Sequence, residues 1–200
     1  MPKDTCILMP NPLCSFIMSA YDQPEHLILA LYSLKLQTEK NFEVIVCDNS
    51  PDQRNGLACN YVADSRIRYL WTGQTCGNCY ESANVGAREA KGDFFCFPSC
   101  DNYYVPQFLE TMLRMRGIAN LIYCDMLYDP RWTKNQYTVV DVQPKVGYID
   151  KGGFLIHSHF FQPFPYLRSA KGEADGLLAQ DLVGSGVSHA KAPGVLWVHN

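Results

Sequence analysis

The chain has 200 residues, 47% of them hydrophobic and 18% charged, and its 17 Lys and Arg against 20 Asp and Glu leave a formal charge of -3. That length and composition suit one folded domain and exclude a disordered chain, while a near-neutral balance with no basic run argues against nucleic acid as a partner. No apolar stretch reaches the roughly 18 to 20 residues of a membrane helix, and the opening MPKDTCILMP lacks the basic-then-apolar order of a signal peptide, so the expected location is the cytoplasm.

In chain order, the apolar run SFIMSA at 15–20 predicts a strand, and Pro24 with Leu27, Ala30, Leu31 and Leu34 at helical spacing predicts the helix after it. The segment NFEVIVCDNSPD buries Phe42, Val44, Ile45 and Val46 in a second strand whose loop begins at Asp48. A weaker helix near 53–64, the strand IRYLW, a Gly-rich loop and a helix through YESANVGAREA that ends at Lys91-Gly92 follow. DFFCFPS is the fourth strand, PQFLETMLRMR a helix opened by Pro106, and ANLIYCDML the fifth strand. Beyond residue 126 only YTVVDV and GGFLIHSHFF look ordered until the amphipathic ADGLLAQDLVGSG, which two short strands, VSHA and VLWVHN, follow. The regular alternation of strand and helix predicts an α/β fold with a mostly parallel sheet.

In such a sheet ligands sit beyond the carboxyl ends of the strands, and Asp48, Asp101 and Asp125 fall at or near such ends. Each alone reads equally well as a turn-forming acid, and Asp48 and Asp101 share a crevice only if their strands are close. Neither a Gly-x-Gly-x-x-Gly fingerprint nor a P-loop is present. The odd count of nine cysteines, several inside apolar runs such as VIVC and FFCFPSC, reads as buried reduced thiols. Cys76 and Cys79 form a lone CxxC without the second pair that a structural zinc site needs. His157 and His159 would point the same way if FLIHSHFF is a strand.

The order of these pieces resembles the family 2 glycosyltransferases of the GT-A fold over nearly the whole chain. SFIMSAYDQPEHLILALYSLKLQT is similar to that family's opening strand, loop and helix, and NFEVIVCDNSPD to its second strand and nucleotide-contacting Asp. The most specific match is GNCYESANVGAREAKGDFFCFPSCDNYYVPQFLE, in which Asn84, Gly86, Ala90, Lys91 and Gly92 fit an N-x-G…A-K-G pattern. Two departures stand out: Ser99-Cys100-Asp101 replaces the usual Asp-x-Asp, and Ala83 stands where an Arg often precedes the Asn.

The resemblance implies a GT-A, Rossmann-like central sheet flanked by helices, in a single domain over 1–200. Residues 1–125 would be its nucleotide-sugar half and 126–200 its acceptor and catalytic-base half. Asp48 would read the base, with Ala20, Tyr21, Asp22 and Ser50 around it; Gly77, Asn84, Ser99 and Cys100 would complete the nucleotide site. Asp101, with His199 as a further ligand, would hold Mn²⁺ or Mg²⁺ on the diphosphate, more weakly than two acids would. Asp175, with Glu173 as its alternative, would be the base of an inverting transfer from a nucleotide-sugar, a UDP-sugar first, to a glycan or other hydroxyl acceptor; read on its own, Asp175 is a helix cap. Tyr128, Trp132, Phe161 and Tyr166 are candidates to stack on sugar, or simply to pack. Ser99 and Ala83 keep open a degenerate module that binds a nucleotide or sugar without turnover.

Overall fold

The computed structural model describes residues 12–72, 78–128, 137–164 and 173–200. Strand β1 (Cys14–Ala20) is buried at every position, its two serines included, as a strand between two helical layers must be. It is followed by α1 (Pro24–Lys35), β2 (Phe42–Asp48), α2 (Arg54–Val62), β3 (Ile67–Trp71), α3 (Cys79–Glu89) and β4 (Phe94–Cys96). β1 pairs in parallel with β2 and β4, and β2 with β3, so the first half of the chain is the predicted parallel α/β sheet.

The second half adds β5 (Tyr103–Tyr104), α4 (Phe108–Leu113), β6 (Leu121–Tyr128), β7 (Thr138–Val140), β8 (Phe154–His157), α5 (Ala174–Gly184) and β9 (His189–His199). β8 lies antiparallel between β4 and β6 and joins the two halves into one sheet of order β3-β2-β1-β4-β8-β6-β9-β5. β7 takes over the edge of β6 that β8 leaves, and β9 runs parallel along the other edge.

Three local expectations are corrected. The two expected strands are parts of one, β9, which takes in His189 and Ala190 of VSHA and all of VLWVHN but Asn200, and whose register shifts opposite Tyr123 to Met126; Pro193, which has no N–H to give, and Gly194 at φ 94° sit in that irregularity. β8 ends at His157, and residues 158–160 form a 3-10 turn, so His157 and His159 do not share a strand face. Finally, α4 is shorter than 106–116, and the two-residue β5 before it was not anticipated.

Alternate residues of β1 serve opposite faces. Phe16 meets Phe42 edge-on at 5.5 Å and lies 6.3 Å from Phe108 of α4. Ile17 lies under α3, which comes close because Gly86 has no Cβ: one would fall 2.5 Å from Ile17 Cγ2 and from Cys47 Sγ. Gly92 is equally tight but against backbone, since a Cβ there would fall 2.5 Å from the backbone nitrogen of Ser15, and its own N–H donates to Ser15 Oγ at 2.8 Å. Gly92→Ala is therefore expected to cost about 3 kcal/mol, a clash with backbone that cannot turn away, read as a lower urea midpoint at unchanged slope.

The described cysteines are free thiols, buried except for Cys79 at the start of α3. Burial pushes the Cys14, Cys96 and Cys124 thiols up, which keeps them protonated and inert. Cys76, the other half of the CxxC, lies outside the described residues.

Candidate active site

The carboxyl ends of β1 and β4 meet at one cavity. Ser19 bridges to Ser99, Cys100 N–H donates to Ser19 carbonyl at 3.1 Å, and Ser99 N–H donates to Asn102 Oδ1 at 2.8 Å, so the 99–102 turn is fixed against the end of β1. The cavity holds about 650 Å³. Ala20, Tyr21, Ser99, Cys100, Asp101 and His199, all singled out in the sequence, line it, and Tyr21 is 58% exposed, its ring available for stacking. Gln23, Asn49, Asn78, Cys79 and Asn200 line it too, without having been anticipated; Asn200 Nδ2 donates to the carbonyl of Asp101 at 2.7 Å.

Asp48 lies behind this wall. It is 0% exposed, and its carboxylate accepts from Ser50 N–H at 3.0 Å, Ser50 Oγ at 2.5 Å, Asn55 Nδ2 at 3.0 Å and Tyr69 OH at 2.7 Å. Burial and the bond to Asp48 push the Tyr69 phenol up, so it stays a donor. Ser50 Oγ in turn accepts from Asp22 N–H at 2.7 Å, and Asp22, at φ 46°, pairs through its carboxylate with Arg54. Asp48, Ser50 and Asp22 thus tie the loops after β1 and β2 together, and Asn49 is the residue that this arrangement turns into the cavity.

Asn84 is also away from the cavity: its side chain accepts from Phe164 N–H at 2.8 Å and fastens α3 to the chain ahead of residue 165. Gly77 lies outside the described residues. Asp125 accepts from Val142 N–H at 2.9 Å and pairs with Lys191 at 2.5 Å, a use internal to the sheet edge.

A second cavity of about 380 Å³ adjoins the first and shares His199 with it; Tyr128, Asp150, Glu173 and Asp175 are on its wall. Here the cap of α5 is Glu173, and Asp175 sits inside the first turn, 6% exposed, so the cap reading of Asp175 does not hold. Its oxygens accept from Gly176 N–H at 2.9 Å and Lys151 N–H at 3.2 Å. Burial first, and the nearby Asp150 charge second, push its carboxyl up to about 6. That value leaves it ionised at neutral pH yet basic enough to accept a proton.

Asp150 and Lys151, neither of them a sequence candidate, complete the cluster. Asp150 accepts from Gly152 N–H at 2.8 Å and meets His199 Nε2 at 3.1 Å. Burial pushes the Asp150 carboxyl up, but the His199 bond and charge and the Lys151 ammonium outweigh it and hold it below the usual range. The same contact raises the His199 imidazole against the opposing effect of its burial.

On the larger cavity, Asp101 and His199 are the described side chains that could hold a divalent cation. Asp101 and His199 both face it, and His199 Nδ1 is buried with no hydrogen-bond partner while Nε2 is oriented by Asp150, the arrangement of an imidazole held by one nitrogen to present the other. Among the described residues no three His, Cys, Asp or Glu cluster as a self-sufficient metal site, so substrate oxygens would have to fill the remaining positions.

Of the aromatic candidates, Phe161 packs against Phe97 at 5.0 Å and Phe164 at 5.7 Å, while Tyr128 faces the second cavity. Trp132 and Tyr166 lie outside the described residues. Among the described residues no helix is long and apolar enough to cross a membrane.

Known proteins share this architecture. S. aureus TarS 1-349 in complex with UDP-GlcNAc matches 93% of the chain and 58% of its own with a TM-score of 0.70 at 17% identity. A Pyrobaculum calidifontis mannosyltransferase in complex with GDP-Man and Mn²⁺ matches 94% of the chain and 57% of its own with a TM-score of 0.75 at 14% identity. Both confirm the GT-A fold. In sequence, the chain is 30% identical over 119 residues, 57% of its length and 36% of the relative's, to an uncharacterized glycosyltransferase of Rickettsia prowazekii. It is 31% identical over 143 residues, 72% of its length and 55% of the relative's, to the Escherichia coli UDP-Glc:alpha-D-GlcNAc-diphosphoundecaprenol beta-1,3-glucosyltransferase WfaP. The chain spans about a third of the length of the first curated relatives it matches. The sequence model of glycosyl transferase family 2 matches residues 15–170, well over half of the sequence, and the chain belongs to that family.

Proposed function

We propose that this protein transfers a sugar from a nucleoside diphosphate donor, a UDP-sugar, to a hydroxyl acceptor with inversion at the anomeric carbon. The observation that carries the reading is Asp175, a buried carboxylate with its carboxyl near 6, on a cavity that shares His199 with the cavity of Asp101. The solved neighbours were captured with UDP-GlcNAc in one case and GDP-Man with Mn²⁺ in the other, which supports a nucleotide-sugar in the larger cavity.

In this reading the nucleotide lies along Ala20, Tyr21 and Asn49, and its diphosphate approaches Ser99 and Asp101. The acceptor hydroxyl enters from the second cavity. Asp175 takes its proton as the oxygen attacks the anomeric carbon, and the bond from that carbon to the diphosphate oxygen breaks on the opposite face. Asp101 and His199 would hold Mn²⁺ or Mg²⁺, which when bound acts as a Lewis acid on the diphosphate.

Thermal unfolding with UDP, GDP, CDP and ADP, each with and without Mn²⁺, tests the donor site. A nucleotide at a hundred times its Kd adds about 2.7 kcal/mol to the folded state, a rise in Tm of roughly 5 to 10 °C for a chain of this size. The expected result is a rise with UDP that is larger with Mn²⁺; no rise with any nucleotide would overturn the assignment. Ser99, in place of the first acid, favours one competing reading, a module that binds without turnover. It predicts the same rise, but neither transfer nor hydrolysis of any sugar nucleotide.

A further inference from the structure

Among the described residues, a buried cation lies behind the wall of the larger cavity. Lys151 is 3% exposed, and its ammonium donates to the carbonyl of Phe97 at 3.0 Å and to Ser99 Oγ at 3.2 Å. The described lining of that cavity contains no Lys or Arg, and Ser99 is the lining residue that Lys151 touches. An ammonium has donors only, so Ser99 Oγ must accept from it, and the hydroxyl proton of Ser99 must point elsewhere. Ser99 N–H is bonded to Asn102 and the turn is pinned to β1, so Oγ is held at the cavity with that proton still to place.

We propose that Ser99, polarised by Lys151, is a hydrogen-bond donor to a phosphate oxygen of the bound nucleotide. This inference rests on the nucleotide-sugar reading above and concerns this chain's own departure from Asp-x-Asp. An acid at position 99 can only accept when ionised, and it would form an ion pair with the lysine behind it. A serine backed by an ammonium presents a proton instead, and charge-assisted donors of this kind suit an anionic oxygen better than a sugar hydroxyl. Lys151 is a positioning residue here: it fixes the direction of the Ser99 proton and places a positive charge one hydroxyl away from the diphosphate.

The test is isothermal titration of UDP and of uridine, with GDP and guanosine in parallel and Mn²⁺ present throughout, on wild type, Ser99→Ala, Ser99→Thr and Lys151→Met. Loss of a hydrogen bond to a charged group corresponds to about a tenfold weakening or more. Ser99→Ala is expected to weaken the diphosphate about tenfold and leave the nucleoside within twofold, while Ser99→Thr, which keeps the hydroxyl, restores the wild-type value. Lys151→Met should show the same split, and the double variant should be no weaker than either single one, because both remove a single interaction. Should Lys151→Met fail to fold, the two serine variants decide. Equal weakening of diphosphate and nucleoside, or no change in either, overturns the inference while wild-type binding keeps the donor-site reading intact. A wild type that binds none of the four probes overturns both.

Discussion

Asp175→Asn is expected to lower the transfer rate by about a thousandfold, within the range for removing a general base, while UDP binding stays within twofold of wild type. The reason is geometric: Asp175 is on the second cavity and not among the described residues that line the nucleotide cavity, and Asn keeps its shape and an oxygen for Lys151 N–H, so the Lys151 bond to Ser99 stays in place. The rate of the wild type should rise with pH through about 6 and then level, since the carboxyl must be ionised to accept a proton. Full activity in the Asn variant would remove Asp175 from the mechanism, and loss of activity in Glu173→Gln instead would move the base two residues upstream.

The same substitution has a stability signature. Folding raises the Asp175 carboxyl from its ordinary 3.8 to about 6, so the folded state favours the protonated form. Ionised Asp175 therefore costs stability, nothing below about pH 4 and the full amount above about pH 6; two units correspond to on the order of 3 kcal/mol. Asn carries no such cost. It supplies one acceptor where Asp175 serves both Gly176 N–H and Lys151 N–H, so it loses a bond worth about 1 to 3 kcal/mol at every pH. Asp175→Asn should thus be less stable than wild type at pH 4, and the gap should close or reverse by pH 7. Urea titrations at those two pH values check it, and parallel curves would show that the carboxyl is not raised in the folded state.

Much of this site was legible in the sequence, and the limits have physical causes. β1 and β2 were readable because each is built around a short apolar run, FIM and VIVC, the pattern of strands buried on both faces. Asp101 and His199 were placed together by resemblance, and the sheet order brings β9 alongside β6 and β5 so that they meet. Lys151 was not legible, because its partners Phe97 and Ser99 lie about fifty residues away and a lysine ordinarily reads as solvent-facing. The available signal was a charged pair, Asp150-Lys151, set directly before two glycines and the apolar FLI. Those glycines are needed because Trp197 leaves no room: a Cβ on Gly153 would fall 2.5 Å from its Nε1. β9 was split in two because Pro193 and Gly194 look like a turn when only their own preferences are weighed, whereas the pairing with β6 carries the strand through them as an irregularity.

Asp48, expected to read the base, is held in this structure by four donors, and it gives the largest stability effect. The four donors that converge on its buried carboxylate leave little for a base N–H to compete for, whereas the loop it organises delivers Asn49 to the cavity. Asp48→Ala removes four hydrogen bonds at once, leaves Ser50 N–H unpaired at a buried site and leaves Asn55 Nδ2 with Ser50 Oγ alone, so about 4 kcal/mol is expected, a fall in Tm of roughly 10 °C. Nucleotide affinity should fall with it, since Asn49, Ser50 and Asp22 lose their common anchor. Asp48→Asn separates anchoring from base recognition. Its carbonyl oxygen can keep the Ser50 and Asn55 bonds and its amide can donate to the Tyr69 hydroxyl, so both stability and UDP affinity should remain near wild type. An Asn variant that is as stable as wild type but has lost its preference among UDP, GDP and CDP would instead show that the carboxylate itself touches the base, and that the loop opens to expose it when the nucleotide binds.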